Sequence, residues 1–436
     1  MYLPPSVRQC LEKLEQNHFA CYAVGGCVRD SLLGLTPNDY DLCTNATPAQ
    51  IREIFADHQL ILTGEKHGTV AVVVDHQVIE ITTFRSEGDY ADNRHPGWVK
   101  FETNIEADLS RRDFTVNAMA WSPTRGLADP FGGQQDLQNK ILRAVGDGNI
   151  RFQEDALRIL RGIRFGVRFH LQPEENTLQA MYRQAHLLEK IAKERIFSEL
   201  CGFLPLATAD DLLRFAPILV QVIPELAPTI GFDQRNQNHI YDVFTHICHV
   251  VEAVPPVLSL RWAALLHDLG KPATFTLGDD GQGHYYGHAE VSAQMADTIL
   301  HRLKAPNALR EEVVLLISRH MNRPDADKKL LRRWMSRWGE ENLRNLLIFM
   351  QADTGSKGVN GDALPFPEIW EIMDILQQEN SCLTLRDLAV GGHDLMALGI
   401  TGKEIGVTLN QLLARVLEEE LPNEKEALLA EIRRNI

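Results

Sequence analysis

At Gly146-Asp147-Gly148 the pattern of the chain changes, and that change restricts the possible folds more than composition does. Before it, short apolar runs alternate with turn residues and short helical stretches. After it, apolar residues recur at helical spacing almost to the end. A mixed α/β head and a long helical remainder are therefore expected. With 436 residues, a prior of about 150 per domain suggests roughly three units. We divide the chain into a head at 1–145, a neck at 146–225, a His-rich body at 226–358 and a tail at 359–436.

Within the head, residues 6–18 read as an amphipathic helix and Phe19 to Val24 as a strand ending at a diglycine. Val28 to Leu33 reads as a helix stopped by Gly34, and Tyr40 to Cys43 as a second strand. Thr47 is a natural N-cap, with Pro48 opening a helix through Phe55. Val70 to Val74 and Val78 to Phe84 read as a hairpin around Asp75-His76-Gln77. Arg85 to Trp98 reads as a long mobile loop, followed by a strand from Val99 to Glu102. Arg111 to Ala120 is expected to be a helix. Farther on, Pro205, Pro217, Pro224 and Pro228 suggest a joint near 205–235, and Gly355 to Pro367 a linker.

Three pieces of the head suggest chemistry. Gly25-Gly26 lets backbone approach a phosphate, and Arg29 follows on the helix it opens. Asp39 and Asp41 lie two apart, so on a strand they share a face and can hold Mg²⁺. Arg111-Arg112-Asp113, read as the start of a helix, can neutralise charge on a transferring phosphoryl group. Glu80 interrupts an apolar strand. It is either a third metal carboxylate or part of a solvated strand face. Each piece alone is commonplace, but in this order they describe nucleotidyl transfer by two metals.

Composition bears on the partner. Net charge is −15, where a plain nucleic-acid binder is usually basic. Residues 361–436 carry a net −8 of that, so any grip on a polyanion must come from local basic faces. The seven cysteines are scattered without a Cys-x-x-Cys pair, which predicts reduced cytoplasmic thiols and no zinc site. No stretch reads as a membrane span, and Met1-Tyr2-Leu3-Pro4-Pro5 lacks a secretory pattern.

The runs Gly25-Gly26-Cys27-Val28-Arg29-Asp30, Asp39-Tyr40-Asp41, Gly64-Glu65-Lys66-His67-Gly68-Thr69-Val70 and Arg111-Arg112-Asp113-Phe114-Thr115-Val116-Asn117-Ala118 resemble the class II tRNA nucleotidyltransferases. These comprise bacterial and eukaryotic CCA-adding enzymes and their poly(A) polymerase relatives. Asp129-Pro130-Phe131-Gly132-Gly133 with Asp136-Leu137 extends the likeness. The resemblance implies a head of the polymerase-β nucleotidyltransferase type, then a helical neck, an HD body and a helical tail. It also implies CTP, ATP and the tRNA 3′ end as partners and Mg²⁺ as cofactor. Gly26, Arg29, Arg111 and Arg112 would then contact phosphates.

In the neck, Arg158, Arg161, Arg164 and Arg168 fall on a helical stripe about 120° wide, with Asp155 beside it. As residues alone, they fit ion pairs on a solvated helix. The resemblance adds that Glu154-Asp155-Ala156-Leu157-Arg158 reads the incoming base without a template. A carboxylate can accept from cytosine N4 or adenine N6, whereas uracil and guanine would set oxygen against oxygen. Arg161 and Arg164 would hold phosphates or brace the reader. Asp92-Asn93-Arg94-His95 matches the family's flexible loop and argues against a CC-only enzyme. The stretch from Gly64 to Thr69 and the acidic tail favour the CCA enzyme over a poly(A) polymerase.

His246, His267, Asp268, His288, His320 and Asp353 form the last group. The run His267-Asp268-Leu269-Gly270-Lys271 resembles HD phosphohydrolases, which implies a second divalent ion. His284 is a further possible ligand, while His249 and His301 read as packing residues. This body is either a live hydrolase or a rigid spacer. The tail, with Gly391-Gly392-His393-Asp394-Leu395 and Gly402-Lys403-Glu404-Ile405-Gly406, resembles family segments that lean on the tRNA elbow.

The expected reaction is CCA addition. Its rivals are an A-adding enzyme or poly(A) polymerase, an HD hydrolase whose head only docks RNA, and a silent RNA-binding protein. The sequence leaves the oligomeric state open.

Overall fold

The computed structural model describes residues 1–88, 97–237, 240–357, 364–379 and 382–435. Two compact units emerge. One is Met1–Leu226 with Arg302–Ala305, and the other is Ala227–His301 with Pro306–Ile436.

The first unit carries strands β1 (Cys21–Val24), β2 (Asp41–Thr44), β3 (Gln59–Ile61), β4 (Thr69–Val74), β5 (Gln77–Thr83), β6 (Arg85–Gly88), β7 (Trp98–Phe101), β8 (Ala120–Ser122) and β9 (Gly126–Ala128). Seven of them form one sheet in the order β3-β4-β5-β2-β1-β8-β9. The β2–β5 pair is parallel and its other pairs are antiparallel. All four residues of β1 are buried, as suits a strand covered on both faces. Tyr22, Val24, Cys43, Phe84, Leu109, Ala118, Ala120 and Val145 pack together there.

Local signals account for several elements. Thr47 and Gln50 form a capping box ahead of the helix Pro48–Ile54. Asp75 and His76 take positive φ between β4 and β5, the backbone that a two-residue hairpin turn needs.

Four expectations need correction. Arg85 to Trp98 is not a continuous loop, because β6 and β7 pair antiparallel; residues 89–96, with the Asp92–His95 loop, lie outside the described residues. The expected helix from Arg111 to Ala120 lies one turn upstream, at Ile105–Ser110, capped by the Asn104 side chain. Arg111 therefore ends a helix rather than opening one. The backbone beyond it is committed elsewhere: Phe114 bridges to Ala144, Thr115 N–H donates to Arg143, and Val145 N–H donates to Asp113. Pro217 lies inside the helix Ala209–Val222. Burial of Leu212, Phe215, Ala216, Ile218 and Leu219 sustains the helix despite the lost donor. Finally, β2 starts at Asp41, so Asp39 belongs to its lead-in.

The neck helix Leu157–Phe169 presses Gly162 onto Phe114, where an added Cβ would fall 2.8 Å from the ring. In the second unit, helices Val243–Ala253, Leu258–Leu266, His288–Arg302, Asn307–Arg319 and Glu340–Gly355 form the His-rich body. The tail packs its own core of Leu388, Leu395, Leu412, Leu413, Leu417, Leu428 and Ile432. Among the described residues no helix is long and apolar enough to cross a membrane.

Candidate active site

Val24, the last residue of β1, pairs directly with Asp41, the first of β2. This register sets Asp41 beside the turn at Gly25, whose φ of 77° is open to glycine at little cost. A side chain at Gly25 would also collide with Arg112, whose Nη1 lies 2.8 Å from the Cβ position. On the other flank, β2 runs parallel to β5 with Leu42 opposite Ile81. Ile79, Ile81 and Thr83 point into the core, leaving Glu80 on the exposed face.

The carboxylates of Asp39, Asp41 and Glu80 make no hydrogen bond or ion pair with another described residue. Asp41 stays open to solvent on one side. Even so, partial burial of its carboxyl, then the Glu80 charge, raise its pKa; Arg112 opposes this and Asp39 adds to it. A concentration of negative charge without protein partners suits a cation. The three carboxylates are not a tight preformed cage: among the described residues, close groups of three ligand atoms occur only in the second unit.

A cleft of about 410 Å³ opens from this edge. Gly25, Gly26, Asp41, Arg111, Arg112, Asp113 and Asn117 line it from the head, and Asp155, Arg158, Arg161, Arg164, Phe165, Arg168 and Arg195 from the neck; Arg29 also reaches it.

Most of these arginines have assigned protein partners. Arg29 is buried, donates to Asp30 and Asn117, and lies over the Phe169 ring at 4.2 Å. Arg111 is held by Asp108 and Glu87. Arg112 reaches Asp108 at 3.3 Å, and its buried Nε has no hydrogen-bond partner. Arg161 pairs with Asp113 at 2.8 Å and Arg164 with Glu199 at 2.6 Å. Burial would raise the Asp113 pKa, but Arg161, Asn117 and Arg158 hold it down at about 2.

Asp155 joins two helices. It ends Gly148–Glu154, and its Oδ1 accepts from Leu157 N–H at the start of the next. Its Oδ2 accepts from Arg195 at 2.9 Å. Arg158 donates to Glu154 at 2.7 Å and to the Arg111 carbonyl at 2.9 Å, tying neck to head. Arg195 was missed from the sequence. It lies 40 residues beyond Asp155, with no motif around it, and its buried Nη1 has no partner.

The second unit brings together the whole His/Asp set. His246 Nε2 lies 2.9 Å from Asp353, His267 Nε2 3.2 Å from Asp268, and His288 Nε2 3.4 Å from Asp268. The ring of His320 lies 5.3 Å from that of His267 and 5.3 Å from that of His288. The Nδ1 atoms of all four histidines face backbone carbonyls of Ser356, Ala264, Tyr285 and Ile317. That fixes the proton on Nδ1 and turns the Nε2 lone pair inward, as metal-binding imidazoles require. His267 Nε2, His288 Nε2 and Asp268 Oδ1 are buried without hydrogen-bond partners, while Asp268 Oδ2 is ion-paired with Lys271 Nζ at 2.7 Å. A divalent ion would satisfy them all, so the donor set fits one.

Electrostatics in this cluster are strongly coupled. Burial pushes His320 down to about 4. Burial opposes the charge on His267, yet Asp268 and Asp353 raise its pKa to about 9. His284 stands apart, stacked on Tyr286 rather than in the cluster, and His249 packs against Tyr241.

Comparison with known proteins finds relatives for the regions that carry both clusters. The family model described as "Poly A polymerase head domain" matches residues 21–143. "Probable RNA and SrmB- binding site of polymerase A" matches 170–229, and "HD domain" matches 237–355. The CCA-adding enzyme of Streptococcus mutans is 32% identical over 443 residues, covering 100% of this chain and 99% of its own. The chain belongs to the CCA-adding enzyme family. The family member of Pediococcus pentosaceus is 32% identical over 97% of this chain and 96% of its own. The CCA-adding enzyme of Bacillus stearothermophilus, solved in complex with CTP, superposes with a TM-score of 0.72 at 27% identity. That match covers 99% of this chain and 98% of the other. As a nucleotidyltransferase of this family, the chain works with a divalent metal.

Proposed function

We propose that this chain adds C, C and A to the 3′ end of tRNA from CTP and ATP, releasing pyrophosphate. The observation that carries this reading is the unpaired Asp41 carboxylate lining an arginine-walled cleft, with the charges of Glu80 and Asp39 acting on it. Asp39 and Asp41, with Glu80 behind them, would hold Mg²⁺, which activates the 3′-hydroxyl and stabilises the leaving pyrophosphate. Gly25 and Gly26 keep side chains out of the phosphate's path, and Arg112 offers an unspent N–H to it. Arg29 and Arg111 contribute positive potential from fixed positions.

Asp155 and Arg158 would read the base. A carboxylate oxygen has two lone pairs, so Asp155 Oδ2 can keep Arg195 and still accept a base amino group. Arg161 and Arg164 act as braces, since each is already paired with an acid. On this reading 1–145 performs chemistry, 146–225 selects the base, 226–358 carries the HD centre and 359–436 supports the tRNA. The A-adding and poly(A) alternatives are less well supported, because full-length relatives bear the CCA-adding name.

Stepwise extension of tRNA lacking CCA, with each triphosphate in turn, tests the proposal. CTP should add twice and ATP once, with UTP and GTP rejected. Asp41→Ala should lower incorporation on the order of a thousandfold. Retention of the parent rate would remove the metal role from Asp41.

A second activity is favoured by the converging Nε2 atoms. His246, His267, Asp268, His288, His320 and Asp353 would hold a divalent ion that activates water against a phosphate ester. Hydrolysis of a 2′,3′-cyclic phosphate with Ni²⁺ or Mn²⁺ should survive Asp41→Asn and vanish with Asp268→Ala. Survival in the Asp268 variant would refute it.

A further inference from the structure

Beside the His/Asp cluster lies a cavity of about 490 Å³, and its mouth carries an aromatic surface that metal chemistry does not need. Tyr286 is 80% exposed there, the most open of the large apolar side chains in the described residues. Its ring is not a loose end. The imidazole of His284 stacks behind it at 5.5 Å between centroids and 11° between planes. One ring face is thus backed by protein, and the next residue, Gly287 at φ 76°, turns the chain into the helix that His288 begins. The platform is therefore joined by one short turn to a proposed metal ligand.

The cavity floor has the opposite character. Lys271 is buried, with its Nζ 2.7 Å from Asp268 and 2.8 Å from Gln234. It also lines the cavity, as Lys357 does nearer the mouth. A buried ammonium inside, a second one nearer the mouth and a flat ring outside match a molecule with a phosphate at one end and a planar base at the other.

We propose that Tyr286, backed by His284, is a specificity-determining stacking platform that selects nucleotide phosphate esters over ring-free phosphate esters at the HD centre. The inference rests on the hydrolase reading given above. Stacking is tolerant of base identity because every base offers a π-face. The platform therefore selects for a base and not for a particular one.

The test uses the full chain and two secondary phosphate monoesters, adenosine 3′-monophosphate and glycerol 2-phosphate. With Mn²⁺ present, Tyr286→Ala should raise KM for the nucleotide about tenfold, the loss expected of one base–aromatic stack. Its kcat should stay within about twofold, and KM for glycerol 2-phosphate should not change. Tyr286→Phe keeps the ring and should behave as the parent. Equilibrium dialysis in EDTA supplies a readout without hydrolysis: Tyr286→Ala should lose affinity for adenosine 3′-monophosphate by a similar factor. Binding at the head cleft is common to parent and variant and cancels. If neither ester is hydrolysed but the dialysis difference persists, the hydrolase reading fails and the platform stands. If dialysis shows no difference, or both esters weaken equally, the platform is refuted.

Discussion

The head cleft and the HD cluster both gather acids, yet they solve the electrostatic problem in opposite ways. In the head, the carboxylates of Asp39, Asp41 and Glu80 are open to water, and the nearby arginines are largely neutralised by Asp108, Asp113 and Glu199. Solvation makes unpaired carboxylates tolerable, and the cleft can exchange a charged substrate rapidly. In the second unit, His246, His267, Asp268, His288 and His320 are all buried, several with bare donor atoms. Buried unsatisfied groups are costly, so this arrangement is sustained only by a strong partner. On the function proposed above, one centre serves a substrate that comes and goes and the other a resident ion.

The sharpest way to break that comparison is metal removal. An ion at about a thousand times its Kd stabilises its site by about 4 kcal/mol. Adding Mn²⁺ or Ni²⁺ to EDTA-treated protein should therefore raise the thermal midpoint by roughly ten degrees. Asp268→Ala should abolish the rise, whereas Asp41→Ala should leave it intact. A rise that follows Asp41 instead would reverse the roles assigned to the two centres.

A smaller effect sharpens the head's side of it. Asp155 belongs to a network with Leu157 and Arg195 and is not a metal ligand in our reading. Asp155→Ala should leave the metal step standing while relaxing base choice. The ratio of CTP to UTP incorporation should fall on the order of a hundredfold, the cost of one or two buried groups losing their match. An unchanged ratio with a lower overall rate would make Asp155 a brace like Arg164.

Sequence legibility also differed between the two regions. The structure gathers the six His and Asp residues singled out from the sequence, and the mark that led to them was the local run His267-Asp268-Leu269-Gly270-Lys271, since the stretch around it also holds other histidines and many charges. The diglycine and the Asp41 strand were legible for a similar reason, since turn and strand signals are local. The Arg111 helix was not. Its backbone is spent on pairing with residues 143–145, a contact that no local pattern announces and that overrides propensity. Arg195 escaped because its partner Asp155 is distant in sequence and an arginine on an amphipathic helix is ordinary. Asp39 acts on Asp41 from the lead-in to β2, not through the strand alternation that first suggested the pair.

The smallest expected effect concerns the joint between head and neck, where Arg161 holds Asp113. Both oxygens of Asp113 are occupied: Phe114 N–H and Asn117 donate to one, and Arg161 to the other. The folded pKa of about 2 lies below the ordinary value of 3.8. For an acid depressed in this way, the stabilisation is fully present above about pH 4 and is lost as pH falls through 2. Its size is at most about 2 kcal/mol, because Arg161 is partly solvated and screened. Asp113→Asn cannot titrate. The gap in thermal midpoint between parent and variant should therefore be constant from pH 7 to about 4 and narrow below it. Metal at the HD centre should not alter that gap, since the two sites share no ligand. A gap that instead closed between pH 7 and 5 would point to a histidine, and the acid-linked brace between head and neck would have to be abandoned.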